Sequence, residues 1–194
     1  MRDRDLRIAA SEIEKMKTTK SFEDFRESWE NFLMRLEKVW EVNERKYKKD
    51  QSFQNWVSPY RKLRKKDPLL IFLKQARNAE MHSISSSVEK PLKILVKDTS
   101  GRGFALDSIS TRLEKGVFTI NIETRDGFAE GKAELVPTSP EVIRIKNRDK
   151  WYNPPWSHLK NRIDDLHPIY IAELGLAFYA AFVEELGRKY GENI

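Results

Sequence analysis

Apolar residues recur at helical spacing through the first half of the chain. Leu6, Ile8, Ala9, Ile13 and Met16 predict a short amphipathic helix over residues 4–17, broken by Thr18-Thr19-Lys20. Ser21 then opens Ser-Phe-Glu-Asp, a start resembling a capping box, with Asp24 three residues on. Behind it Phe22, Phe25, Trp29, Phe32, Leu33, Leu36, Val39 and Trp40 repeat at three- and four-residue steps. That stripe predicts a long second helix reaching about Lys49, with its aromatics in the core rather than stacked on a ligand. A third helix is expected from Phe53 to Leu63, with Trp56, Val57 and Tyr60 turned inward. A fourth begins at Asp67, a good N-cap, followed by Pro68 at the first helical position, where a missing N–H costs nothing. Leu69, Leu70, Leu73 and Ala76 continue it with helical period.

The period changes after His82. Ser83-Ile84-Ser85-Ser86-Ser87 lowers helix propensity and Pro91 opposes continuation. Strands are expected over 92–97, 117–123, 131–136 and 141–147. Phe118, Ile120 and Ile122 alternate with Thr119, Asn121 and Glu123, the pattern of a half-buried antiparallel strand. Thr99-Ser100-Gly101-Arg102-Gly103 and Thr124-Arg125-Asp126-Gly127 read as turns. Gly101-Arg102-Gly103 has no following helix, so it is read as a turn and not as a phosphate-cradling loop. Residues 149–167, centred on Trp151-Tyr152-Asn153-Pro154-Pro155-Trp156, are expected to be irregular and to act as a clamp packed across two modules. A final helix runs over 169–182, apolar around much of its circumference, and so calls for burial on more than one side.

These patterns predict an α+β fold: an antiparallel helical bundle over residues 1–88, a small antiparallel β module over 89–148, and a clamp with the C-terminal apolar helix over 149–194. Return of that last helix to the bundle would make the sheet an insertion.

Composition narrows the function. The 194 residues include 39% hydrophobic and 34% charged side chains, enough for a core beneath a heavily charged surface. No apolar run approaches the roughly 20 residues of a membrane span and no signal-peptide pattern opens the chain, so no membrane association is expected. Cysteine is absent, which excludes disulfides and thiolate metal sites and fits a cytoplasmic location. With three histidines (His82, His158, His167) a histidine-rich metal site is not expected, and no cofactor is called for. The net charge of +6 belongs entirely to residues 1–90, which hold 21 basic against 15 acidic residues. A localised positive field favours a polyanionic partner. Its densest run, Arg61-Lys62-Leu63-Arg64-Lys65-Lys66, stands just before the fourth helix, and Arg61, Lys62, Arg64, Lys65 and Lys66 are the candidate RNA-binding residues.

The fourth helix carries the candidate chemistry. Asn78 and His82 lie one turn apart on one stripe, and Arg77 lies roughly 140° round from His82 with a stem long enough to bring its guanidinium back. Metal-free RNA cleavage needs a base for the 2′-hydroxyl, a proton donor for the leaving 5′-oxygen, and positive charge on the phosphorane. Imidazole suits the proton work because it titrates near neutrality. Guanidinium suits the phosphorane because its planar fork donates several hydrogen bonds to phosphate oxygens. An amide orients the phosphate or fixes the imidazole tautomer. Arg77, Asn78 and His82 supply these three groups within six residues, and are the candidate catalytic set.

Arg77-Asn78-x-x-x-His82 near the end of a capped apolar helix resembles the signature of the HEPN superfamily. The resemblance covers roughly the first 90 residues. It implies metal-independent endoribonuclease cleavage to 2′,3′-cyclic phosphate and 5′-hydroxyl ends. It also implies a homodimer in which two motif helices face one cleft, since one histidine cannot readily be acid and base in the same step. A role in defence or as a toxin, with an antitoxin or regulatory protein as a further partner, belongs to the same reading. Some family members add an acidic residue from a neighbouring helix, for which Glu37, Glu41 and Glu44 all qualify by position. Two other readings stay open: a non-catalytic RNA- or nucleotide-binding module, and an interaction protein whose charge is incidental.

Overall fold

The Ser21 side chain accepts a hydrogen bond from the Asp24 backbone N–H at 3.3 Å and starts the longest helix. The computed structural model describes the backbone of residues 4–82, 86–98, 106–114, 117–124 and 131–190, and the side chains of residues 4–81, 86–92 and 138–190. Among the described residues the helices are α1 (Arg4–Thr18), α2 (Phe22–Lys46), α3 (Gln51–Lys66), α4 (Pro68–His82) and α5 (Pro168–Tyr190). Ten short strands among the described residues give a mixed α+β architecture whose N-terminal part is helical. Helix α2 stops three residues short of the expected end: the Tyr47 N–H makes the last bond to a carbonyl four residues back, and the Lys48 N–H turns instead to the Arg45 carbonyl at 3.4 Å. Helix α3 begins two residues earlier than expected because Asp50 caps it, accepting from the Phe53 N–H at 3.0 Å.

The apolar stripe of α2 is core. Trp29 and Phe32 are fully enclosed, and Phe25, Leu33, Leu36, Val39 and Trp40 are buried beside them. They meet Leu6, Ala9, Ile13 and Met16 of α1, Phe53 and Val57 of α3, and Leu69, Leu70, Phe72 and Leu73 of α4 in one cluster. Helix α5 packs against α1, α2 and α4. It buries Ile171, Ala172, Gly175, Phe178, Tyr179, Phe182, Val183 and Leu186, which explains an apolar surface wider than one stripe. A Cβ placed on Gly175 would stand 2.6 Å from Leu73 Cδ1 and 3.3 Å from Leu36 Cδ2, so glycine here permits the close approach of α5 to α4 and α2.

The chain divides into two compact units, Met1–Lys90 with Ser139–Ile194, and Pro91–Thr138. In the first, β1 (Val88–Glu89) pairs antiparallel with β6 (Glu141–Val142). The second unit holds two antiparallel pairs. There β2 (Leu92–Asp98) pairs with β5 (Gly131–Pro137), and β3 (Leu106–Glu114) with β4 (Val117–Thr124). The Thr138 N–H and hydroxyl both donate to the Pro91 carbonyl at 2.8 Å, so this unit begins and ends at one point.

The strand expected over 141–147 is two strands. Only β6 joins β1, while β7 (Ile145–Asn147) forms a hairpin with β8 (Lys150–Tyr152). Residues 149–167, expected to be irregular, also contain the small hairpin of β9 (Ser157–His158) and β10 (Asn161–Arg162). In this segment Pro155, Ser157, His158 and Ile163 are buried, whereas Trp151 and Trp156 face outward. The turn expected over 99–103 lies outside the described residues, as does the one expected over 124–127 apart from Thr124, the last residue of β4.

Candidate functional site

Helix α4 starts at a polar anchor. Asp67 Oδ1 accepts the Leu70 N–H at 3.1 Å, as an N-cap should, and also stands 3.0 Å from Nδ1 of His158. Its second oxygen accepts the Leu159 N–H at 2.8 Å. Both Asp67 and His158 are buried, and a carboxylate requires that the imidazole donate. The N–H of Leu159 reaches Asp67 because Leu159 and Lys160 both take left-handed backbone conformations, with φ of 47° and 71°, at the two-residue turn between β9 and β10. Burial alone would raise the Asp67 carboxyl, but the hydrogen bonds from His158, Leu159 and Leu70 outweigh it and hold the group below its ordinary value.

Losing both the cap and the partner of a buried imidazole, Asp67→Ala is expected to cost about 2–4 kcal/mol. A carboxyl lowered in the folded state stabilises above its unfolded pKa, and that contribution fades as pH falls through the folded value. The wild-type advantage over Asp67→Ala in urea midpoints should therefore be level above about pH 5 and shrink below about pH 4.

Past this anchor, Leu69, Leu70, Phe72, Leu73, Ala76 and Ala79 bury one side of α4. Lys74 and Met81 are exposed, and Gln75, Arg77 and Asn78 are half-buried between. The Arg77 guanidinium donates from Nη1 to Asn78 Oδ1 at 3.1 Å, and its Nη2 lies 3.7 Å from Glu41 Oε1 on α2. Its Nε–H is buried with no acceptor among the described residues. His82 is the last residue of α4, one turn beyond Asn78, and its side chain lies outside the described residues. The far end of α4 is held by Glu80 Oε1, which accepts both the N–H and the hydroxyl of Ser87 at 2.6 Å. Ser87 Oγ in turn accepts from the indole N–H of Trp29 at 2.8 Å, tying the end of the motif helix to α2.

Glu37, Glu41 and Glu44 on α2 are the three acidic candidates. They share one face of the helix, but each meets a different arginine. Arg64 Nη2 donates to both oxygens of Glu37 at 2.7 and 2.8 Å, and Arg64 also bonds the Tyr179 hydroxyl and stacks on the Trp40 ring at 4.4 Å. Arg61 grips Glu44 through Nε and Nη2 at 2.7 and 2.8 Å and reaches Gln54 as well. Glu41 alone of the three faces Arg77, and it is 46% exposed.

The five-residue basic run therefore does not act as one surface. Arg64 is only 7% exposed and is a core residue, contrary to its expected place on the RNA-binding face. Arg61 is half-buried and neutralised by Glu44. Lys62, Lys65 and Lys66 point to solvent. Lys65 borders an open groove of about 750 Å³, whose wall also includes Glu41, Glu44, Arg45, Lys48 and Lys74. This groove runs between α2, α3 and α4 on the side where Glu41 meets Arg77.

The other two histidines sit outside α4. His158 sits at the opposite end of α4, roughly 22 Å from His82 along a 15-residue helix. His167 caps α5, accepting the Ile169 N–H, and packs edge-on against Phe25. Among the described residues no helix is long and apolar enough to cross a membrane. No family model, curated protein or solved structure matches the chain.

Proposed function

We propose that this chain is a metal-independent endoribonuclease of HEPN type, with Arg77, Asn78 and His82 as its catalytic residues and its active site shared by two copies of α4 in a homodimer. The observation that carries the reading is the seating of Arg77: one guanidinium nitrogen on the amide oxygen of Asn78, which lies one turn before His82, at 3.1 Å, and another 3.7 Å from Glu41. Such a guanidinium is preorganised toward the helix stripe that Asn78 shares with His82, the position at which a scissile phosphate meets charge and imidazole together.

In this mechanism one imidazole removes the proton of the 2′-hydroxyl. The 2′-oxygen attacks phosphorus, and the P–O5′ bond breaks as a second imidazole protonates the leaving oxygen. The products carry a 2′,3′-cyclic phosphate and a 5′-hydroxyl. Arg77 stabilises the charge that builds on the phosphorane oxygens, and Glu41 holds the guanidinium until phosphate competes for it. His158 lies too far along α4 to be the second imidazole, and in this reading His82 of a second copy supplies it.

Concentration dependence tests the shared site. Specific activity on RNA in EDTA is expected to fall on dilution through the dimer dissociation range, in step with the sedimentation of the dimer. Constant specific activity from a monomer would refute the composite site. Protein that binds RNA at every concentration without turnover would instead favour a non-catalytic binding module.

A further inference from the structure

The hairpin of β7 and β8 carries a feature that the proposed chemistry does not use. Its two faces differ in kind. Ile145 is buried, and the Asn147 amide donates to Gln75 Oε1 of α4 at 2.6 Å, so one face lies against the motif helix. The opposite face is cationic and aromatic. Lys146 stands directly across from Trp151 in the strand register, which puts their side chains side by side. The Arg144 guanidinium covers the Trp151 indole at 4.4 Å from the ring centre, and Trp151 is still 51% exposed. Residues 144–152 contain four exposed cations, Arg144, Lys146, Arg148 and Lys150, against the single carboxylate of Asp149, although Lys150 stands across from Asn147, on the other face from Trp151.

We infer that the outer face of the β7–β8 hairpin is a stacking platform for one base of a single-stranded RNA, which it guides toward the motif on α4. A large indole held in solvent with a guanidinium on one face offers the other face to a planar partner. The surrounding positive charge selects a partner that carries a phosphate beside each planar group. A single strand offers its base faces, whereas a duplex hides them in the stack. The placement fits: Gln75, which holds the hairpin, precedes Asn78 by three residues and His82 by seven, so all three share a stripe of α4. The distance from Gln75 to His82 is roughly 10 Å along the helix, about three stacked nucleotides. Trp156 is more exposed, at 70%, but among the described residues no cation stacks on it. The identity of the strand as RNA rests on the proposed function, while the platform itself does not depend on cleavage.

The test uses the full chain carrying His82→Ala, so that RNA stays intact, and reads anisotropy of a fluorescein-labelled 12-nucleotide RNA. Adding Trp151→Ala is expected to weaken binding about 10-fold or more, while Trp151→Phe keeps most of the affinity. Trp156→Ala should leave it within about twofold. Joint Arg144→Ala, Lys146→Ala and Arg148→Ala should reduce the slope of log affinity against log salt by about 2. The same sequence as a duplex should bind more weakly than the single strand. Affinity unchanged by Trp151→Ala, or a preference for duplex, overturns the platform even if the wild type cleaves RNA. Absence of cleavage by wild type, with binding that still depends on Trp151, overturns the nuclease and leaves the platform standing.

Discussion

Arg77→Ala is expected to slow RNA cleavage by about 10²–10³-fold while the protein stays folded. The rate loss is that of removing a preorganised donor aimed at charge that develops in the transition state. The stability change should be small, about 1 kcal/mol or less, because the Glu41 carboxylate left behind is nearly half exposed and remains hydrated. Arg77→Lys should rescue little, since an ammonium restores the charge but not the planar fork that spans two phosphate oxygens. Single-turnover rates in EDTA beside urea melts separate these effects. A variant with normal turnover would remove Arg77 from the mechanism, and one that unfolds would make it a packing residue.

Arg64→Ala should do the reverse. Its loss strands the Glu37 carboxylate in the interior and strips the Tyr179 hydroxyl of its partner, so a cost of about 3–5 kcal/mol is expected. That is a large part of the 5–15 kcal/mol typical of a whole domain. Replacing the pair together, as Glu37→Leu with Arg64→Met, should recover most of the loss, because no charge is then left unpaired in the core. Lys62→Ala and Lys66→Ala, on exposed positions of the same run, should stay within about 0.5 kcal/mol of wild type. Urea midpoints of the four variants decide the matter. A stable Arg64→Ala with weakened RNA affinity would return Arg64 to the surface role first expected of it.

The contrast within that run shows where sequence reading stops. A cluster of cations at the end of a helix looks like a solvated end, and composition alone cannot separate its members. Helical period does so in part: Arg61, Arg64 and Lys65 fall on one face, while Lys62 and Lys66 lie round the helix from them. The matching signal is the Glu37, Glu41 and Glu44 row on α2, but joining the two rows requires knowing that α2 and α3 pack together. Helix α4 was easier to read, because its start is encoded locally in Asp67-Pro68 and its buried side in Leu69, Leu70, Leu73 and Ala76. The second role of Asp67 was not legible. The turn that brings His158 and Leu159 to it places leucine and lysine in left-handed conformations, where a sequence reader looks for asparagine or glycine. Strand β3 was missed for a related reason. An irregular register lies between Leu106 and Ser108, and Leu106 falls out of phase with Ile109 and Leu113. Spacing points to Arg77, Asn78 and His82, whereas which of Glu37, Glu41 and Glu44 stands beside Arg77 depends on the packing of α2 against α4.

The central claim is metal-free cleavage of RNA through His82. The measurement that tests it most directly is incubation of wild type and His82→Ala with mixed RNA in EDTA, followed by analysis of the product ends. The account predicts 2′,3′-cyclic phosphate and 5′-hydroxyl ends from wild type, and a rate about 10²–10⁴-fold lower for His82→Ala. Equal cleavage by both proteins, 5′-phosphate products, or activity that EDTA abolishes would contradict it.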